Sequence, residues 1–204
     1  FLPVQAGYQD NSTSWGHDVE AAKKLLDGAG WVAGSDGVRA KDGKKLELVM
    51  TIPSNAPVAT NEANLLQKQL NEVGIKLSVS TVEIDKYFPE YINKKNYALT
   101  AFTTENTQYP LSNVGQYYAS TSQSNYTGLS IPEVDQYVAK IGSTPDGAER
   151  NKLANELDKV LWENVFSIPI YQRMQLTAVP KTLRNFGAQG LASFRPERIG
   201  YVKS

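Results

Sequence analysis

The 204-residue sequence contains no cysteine and one histidine, His17. The first absence removes disulfides, thiolate metal sites and cysteine nucleophiles; the second leaves no histidine pair for zinc and no histidine for a Ser/His/Asp relay outside a polar arm. No metal and no cofactor is therefore expected. Gly-rich phosphate cradles are missing too, since neither G-x-x-x-x-G-K-[ST] nor G-x-G-x-x-G occurs between a strand-like and a helix-like stretch. No run of 18 apolar residues is present, nor a charged-then-apolar leader or lipidation motif, so any membrane anchor is expected outside this segment. Charge of either sign is in balance, with 21 Lys plus Arg against 21 Asp plus Glu, and no net field favours a nucleic-acid backbone.

What is present is enough to build a core: 41% of the residues are hydrophobic. Residues 1–17 carry Gly7, Asp10, Asn11, Ser12, Ser14 and Gly16 with little periodicity, the composition of a connecting arm. With Phe1-Leu2-Pro3 at the start and the first helical pattern only near Asp18, the chain is expected to be part of a longer protein. Asp18 is placed to cap a helix carrying Val19, Ala22, Leu25, Leu26 and Ala29, which Gly28 and Gly30 end. Lys41-Asp42-Gly43-Lys44 between strand-like runs predicts a tight hairpin.

Leu46 to Ile52, a helix over about 58–73 with Ala59, Ala63, Leu66, Leu70 and Val73 inward, and alternating Ile75, Leu77 and Val79 predict a βαβ unit. A short helix over Asp85–Lys95 and a strand over Tyr97–Thr103 follow. Pro132 opens a helix with Val134, Tyr137, Val138 and Ile141; Ala148–Val165 forms another with Leu153, Leu157, Val160, Leu161 and Val165 inward. Ile168–Gln172 and Leu176–Val179 read as strands. The fold class is α/β, a mixed sheet with flanking helices.

Two carboxylate pairs, Glu83 with Asp85 and Glu133 with Asp135, stand at helix starts, where the helix dipole explains them without acid–base chemistry. Asn11-Ser12-Thr13 and Asn125-Tyr126-Thr127 match the glycosylation triplet, a pattern common by chance. The richer stretch is Phe102-Thr103-Thr104-Glu105-Asn106-Thr107-Gln108-Tyr109-Pro110. It follows a strand's C-terminal end, the edge where open α/β sheets take ligands, and combines aromatic, carboxylate, amide and hydroxyl groups.

Several short words then occur in one order. Asp18-Val19-Glu20-Ala21-Ala22-Lys23-Lys24-Leu25-Leu26 with Ala29-Gly30-Trp31, Asp36-Gly37-Val38-Arg39, Lys41-Asp42-Gly43-Lys44 and Leu66-Gln67-Lys68-Gln69-Leu70 before Val73-Gly74-Ile75 come first. Asn125-Tyr126-Thr127-Gly128 before Pro132-Glu133-Val134-Asp135, Glu149-Arg150 and Ile168-Pro169-Ile170-Tyr171 follow. In this order they resemble the C-terminal lobe of the oligopeptide/dipeptide/nickel family of ABC-transporter solute-binding proteins, family 5.

The resemblance implies a periplasmic-binding-protein-like lobe of cluster C type over residues 18–175. Residues 1–17 become a lead-in crossing segment, and 176–204 a return segment packing on a first lobe. It implies an extracytoplasmic receptor, periplasmic or a cell-surface lipoprotein, that closes two lobes on an oligopeptide or similar polar solute and hands it to ABC permease subunits. It implies no enzyme and no nucleic-acid partner. The ligand contacts it implies are Phe102, Thr104, Glu105, Asn106, Thr107, Gln108 and Tyr109. Glu105 stands where peptide-binding members carry an Asp for the peptide amino group, three residues after an aromatic that is here Phe102. Two other readings are a sensory or adaptor protein of the same fold and a carbohydrate-active enzyme using Glu105 with a second carboxylate.

Overall fold

In the computed structural model, which describes residues 3, 5–104, 109, 111–173, 176–190 and 192–202, Asp18 accepts the Ala21 amide at 2.9 Å and caps α1 (Val19–Gly28). The apolar stripe of α1 is shallower than its spacing predicts. Leu25 is 75% exposed, and Val19, Ala22 and Leu26 are only half-buried.

Two compact units share the chain. One comprises Ser12–Thr103 with Gln123–Gly128; the other comprises the described parts of Phe1–Asn11, Thr104–Ser122 and Leu129–Ser204. In the first, β1 (Val32–Ala33), β2 (Arg39–Lys41) and β3 (Lys44–Lys45) form an antiparallel sheet in that order. The predicted hairpin joins β2 to β3, with Asp42 at φ +50° and Gly43 at φ +76°, the signs a type I′ turn demands.

β4 (Glu47–Pro53), α2 (Pro57–Glu72) and β5 (Lys76–Val82) make the predicted βαβ unit, with Glu47 opposite Lys76 and Pro53 opposite Val82 in parallel register. β6 (Leu99–Thr100) joins the other edge of β4, also parallel, giving the order β5-β4-β6. Parallel and antiparallel pairs thus coexist in this α/β fold, in separate sheets. Met50, Ile52 and Leu77 are buried against Ala59 and Ala63 of α2. Each of the three larger side chains contributes about 1.5–3 kcal/mol through burial.

Gly74 ends α2 at φ +85°; its amide reaches the Asn71 carbonyl at 3.1 Å, and that of Ile75 reaches Leu70 at 2.9 Å. A Cβ on Gly74 would lie 2.8 Å from Arg39 Cγ. Arg39, 5% exposed, fills that space. Its Nε donates to the Val73 carbonyl at 2.8 Å, and Nη1 donates to the Trp31 carbonyl at 2.6 Å and to Asp27 Oδ1 at 2.5 Å. One buried cation thereby ties together the ends of α1 and α2 and strand β2.

The second unit is built on α4 (Val114–Tyr118), α5 (Pro132–Ser143) and α6 (Gly147–Glu163), plus the short antiparallel pair β7 (Leu183–Arg184) and β8 (Gly200–Tyr201). Val114, Val134, Ile141, Ala154, Leu157, Val160, Leu161 and Phe166 form its core. Pro132 takes the first turn of α5, where its missing N–H costs nothing, and Asp146 caps α6 by accepting the Glu149 amide at 2.7 Å.

Three expectations change. Val165 does not extend α6: it sits at φ +49°, 59% exposed, while the Phe166 amide closes the helix on the Leu161 carbonyl at 2.9 Å. The strand predicted over Tyr97–Thr103 pairs only at Leu99–Thr100, because the Ala101 carbonyl accepts from the Tyr87 hydroxyl at 3.1 Å. Ile168–Gln172 and the stretch 176–179 form no ladder among the described residues, and Ile168, Ile170, Tyr171 and Leu176 are exposed. β propensity there meets no neighbouring strand, and Pro169 removes one donor.

Candidate functional site

β4 lies between β5 and β6, so the chain passes to one side of β4 and returns on the other. The C-terminal ends of β4 and β6 border the switch point at which open α/β sheets place ligands. Thr51 of β4 and Thr100 of β6 are register partners there, and the Thr100 hydroxyl donates to the Thr51 carbonyl at 2.9 Å. The Tyr87 hydroxyl shares a 2.6 Å hydrogen bond with Thr100 Oγ1. Burial raises the pKa of Tyr87, and the Thr100 hydrogen bond opposes the shift. The strand ends are therefore held by hydroxyls that remain protonated at neutral pH.

Tyr87 belongs to the short helix predicted over 85–95. It begins as α3 (Ile84–Lys86) and widens into a π turn (Tyr87–Ile92), in which the Asn93 amide reaches back to the Phe88 carbonyl at 2.9 Å. Pro89 accounts for the widening, since its ring excludes the carbonyl four residues back and it has no N–H to donate. The turn buries Tyr87 and Ile92 and leaves Phe88 41% exposed.

Phe88 completes a triangle of rings with Phe102 and Tyr126. The centroid separations are 5.6 Å for Phe88–Phe102, 6.3 Å for Phe88–Tyr126 and 5.4 Å for Phe102–Tyr126, each pair edge to face. Tyr97 fixes the third corner by donating its hydroxyl to the Tyr126 carbonyl at 2.5 Å. Asn125, 1% exposed, holds the turn: its Oδ1 accepts from Thr127 Oγ1 at 2.8 Å and from the Gly128 amide at 3.2 Å. A glycosylation triplet whose asparagine is buried and engaged in this way is a turn motif.

Of the residues expected to contact ligand, Phe102 stands in this triangle, 36% exposed. Thr104 and Tyr109 are exposed and fall in the other unit. Glu105, Asn106, Thr107 and Gln108 lie outside the described residues. Sequence reasoning missed Phe88 and Tyr126. Phe88 falls within the helix predicted over Asp85–Lys95, where only Pro89 beside it signals an irregular turn; Tyr126 lies inside the Asn125-Tyr126-Thr127 triplet.

Both carboxylate pairs stand at helix starts. Glu83 pairs with Lys86 at 2.7 Å, which lowers its pKa, and Asp135 accepts the Ser120 amide at 2.8 Å. Among the described residues no group of three or more His, Cys, Asp or Glu is placed to hold a metal, and no helix is long and apolar enough to cross a membrane. A shallow depression of about 490 Å³, lined by Asp36, Gln67, Asn71 and Lys76 among others, lies where β5 begins, at the sheet's opposite end.

Residues 1–128 match the bacterial extracellular solute-binding proteins, family 5 Middle. The oligopeptide-binding protein OppA of Mycobacterium tuberculosis is 32% identical over 203 residues, covering 100% of this chain and 34% of that protein. Among solved structures, the oligopeptide-binding protein of Thermus thermophilus complexed with a pentapeptide superposes with a TM-score of 0.77 at 19% identity, over 98% of this chain and 38% of that one. The periplasmic EDTA-binding protein EppA gives a TM-score of 0.75 at 26% identity, over 84% and 33% of the respective chains. The chain thus spans about a third of the length of the relatives it matches.

Proposed function

Because this chain belongs to the bacterial extracellular solute-binding proteins of family 5, we propose that it forms part of a receptor that binds an oligopeptide or similar polar solute and delivers it to an ABC importer. The observation that carries the reading is the Phe88–Phe102–Tyr126 triangle at the C-terminal edge of the parallel sheet, where the 102–109 stretch begins. Two of its rings are more than a third exposed, and Phe88 packs edge to face at 5.4 Å on Tyr87, whose hydroxyl is tied to Thr100 and through it to Thr51. An exposed cluster of aromatic rings at the C-terminal edge of a parallel sheet is the kind of apolar wall that solute sites use.

In this proposal residues 18–175 form one jaw, 1–17 and 176–204 are the crossings, and the exposed Leu176, Val179, Phe186 and Phe194 become buried against the first lobe. Phe102, Thr104, Glu105, Asn106, Thr107, Gln108 and Tyr109 line the cleft, with Glu105 facing the peptide's amino group. Closure is favoured because some contacts form only when both jaws touch the solute. The receptor is extracytoplasmic, a lipoprotein or periplasmic protein anchored outside this segment, and its membrane partners are the permease subunits.

Native mass spectrometry of the full-length protein, taken from its cells without dialysis, tests this. The expected result is a bound peptide-sized mass at one per receptor that is released unchanged. Chemical conversion of that molecule, or an empty site filled by no peptide in a tryptic casein digest, overturns the reading.

A further inference from the structure

Residues 5–11 run along α6, and side-chain amides hold them there. Asn155 Oδ1 accepts the Gln9 backbone amide at 3.2 Å, and Asn155 Nδ2 donates to the Gly7 carbonyl at 2.8 Å. One side chain thus supplies the donor and the acceptor that a neighbouring strand residue would supply. Asn11 Nδ2 returns the contact, donating to the Asn155 carbonyl at 3.2 Å and to Asp158 Oδ2 at 2.8 Å, and Asn151 Nδ2 donates to the Ala6 carbonyl at 3.4 Å.

The spacing 151, 155, 158 puts all three polar side chains on one stripe of the helix. On the arm's side the fit depends on Gly7. Its φ is +86°, and a Cβ there would fall 2.3 Å from Asn151 Nδ2. Residues 6–10 of the arm are exposed, so hydrogen bonds hold it more than apolar burial does. A strap of that kind is specific in geometry and reversible in energy.

We infer that Asn155 is a positioning residue that straps the incoming chain to α6 and so confines the bending of that chain during lobe closure to positions outside residues 6–11. This rests on the proposed role of residues 1–17 as a crossing between lobes. A freed arm adds conformations to the open receptor that closure must then remove, which weakens solute binding without touching the solute.

The experiment uses the full-length protein and three variants: Asn155→Ala, Gly7→Ala and, as a control on the same helix, Lys152→Ala. Amide exchange at Gln9 is followed by NMR; closure and affinity are followed by small-angle scattering and calorimetry with a tryptic casein digest. The expected result is about tenfold faster exchange at Gln9 in Asn155→Ala and in Gly7→Ala, with affinity about fivefold weaker in each. The double variant should be no worse than the weaker single variant, because both changes open the same strap. Lys152→Ala should match the unaltered protein. Unchanged exchange at Gln9 in Asn155→Ala overturns the strap. Faster exchange with unchanged closure and affinity overturns its role in closure. A full-length protein that neither binds nor closes on the digest overturns the receptor reading, and the exchange data still decide whether the strap exists.

Discussion

Phe102 and Tyr126 meet edge to face, centroids 5.4 Å apart and planes at 84°, although one follows strand β6 and the other lies in the Asn125 turn. Such pairs contribute about 0.5–1.5 kcal/mol beyond their buried area. A double-mutant cycle with Phe102→Leu and Tyr126→Leu, read by urea denaturation, is expected to return a coupling in that range. A coupling near zero would mean that the two rings are neighbours without being partners.

On the proposal that Glu105 faces the peptide's amino group, Glu105→Gln in the full-length receptor is expected to weaken binding of a peptide with a free amino terminus by on the order of 2–5 kcal/mol, the cost of losing a charge-assisted hydrogen bond under a closed jaw. The N-acetylated peptide should bind the unaltered receptor weakly and lose little more on substitution. Equal affinity of both receptors for the free peptide would leave an uncharged polar solute as the better candidate.

Arg39 separates two contributions that usually travel together. Its Asp27 partner is 63% exposed, so Asp27→Asn should cost about 1 kcal/mol or less. Arg39→Ala leaves the Val73 and Trp31 carbonyls without their donor and opens a void beside Gly74, and should cost about 2–4 kcal/mol. Thermal or urea unfolding of the two variants measures both. A larger loss from Asp27→Asn than from Arg39→Ala would show that the ion pair, and not the carbonyl contacts, dominates.

Val165 is a β-branched residue at φ +49°, a conformation that costs about 1–2 kcal/mol for a side chain and nothing comparable for glycine. Its side chain is 59% exposed, so little packing is lost on removal. Val165→Gly is expected to stabilise the protein by about 1 kcal/mol, seen as a rise of a few degrees in the melting temperature.

The Ser120 amide bonded to Asp135 at 2.8 Å holds that carboxyl below the usual carboxylate range. With the folded value depressed, the unfolded chain takes up the proton first. The contribution is complete above the unfolded value of about 4 and disappears as pH falls through the folded value. Asp135→Asn keeps an acceptor that does not titrate, so its melting temperature should fall less between pH 5 and pH 3 than that of the unaltered protein. Parallel decline of the two curves would remove Asp135 from the acid transition.

The sequence revealed the elements whose cause is local. Asp42-Gly43 specifies a hairpin turn, Asp18 is a cap, and the Ala59/Ala63/Leu66/Leu70 spacing specifies a helix face. What escaped depends on distant chain. Ile168-Pro169-Ile170-Tyr171 has strand composition but finds no ladder among the described residues. Arg39, named in the sequence only within the Asp36–Arg39 word, is buried because the ends of two helices converge on it. The candidate site was half legible: Phe102 was found because it follows a strand, whereas Phe88 and Tyr126 reach it from a π turn and an asparagine turn. Periodicity carries no sign of either.

The two units are interleaved in the chain: Gln123–Gly128 belongs with Ser12–Thr103, and Thr104–Ser122 between them belongs to the other. A ribosome delivering this sequence therefore exposes Phe88 and Phe102 well before Tyr126 emerges to cover their edges, and by then it has already released the first helix of the neighbouring unit. No single cut yields two self-sufficient pieces. A protease nick between residues 104 and 122 would leave the Asn125 turn on a different fragment from the strands it completes, and exchanging this unit alone with another protein requires a break on both sides of each of its two segments.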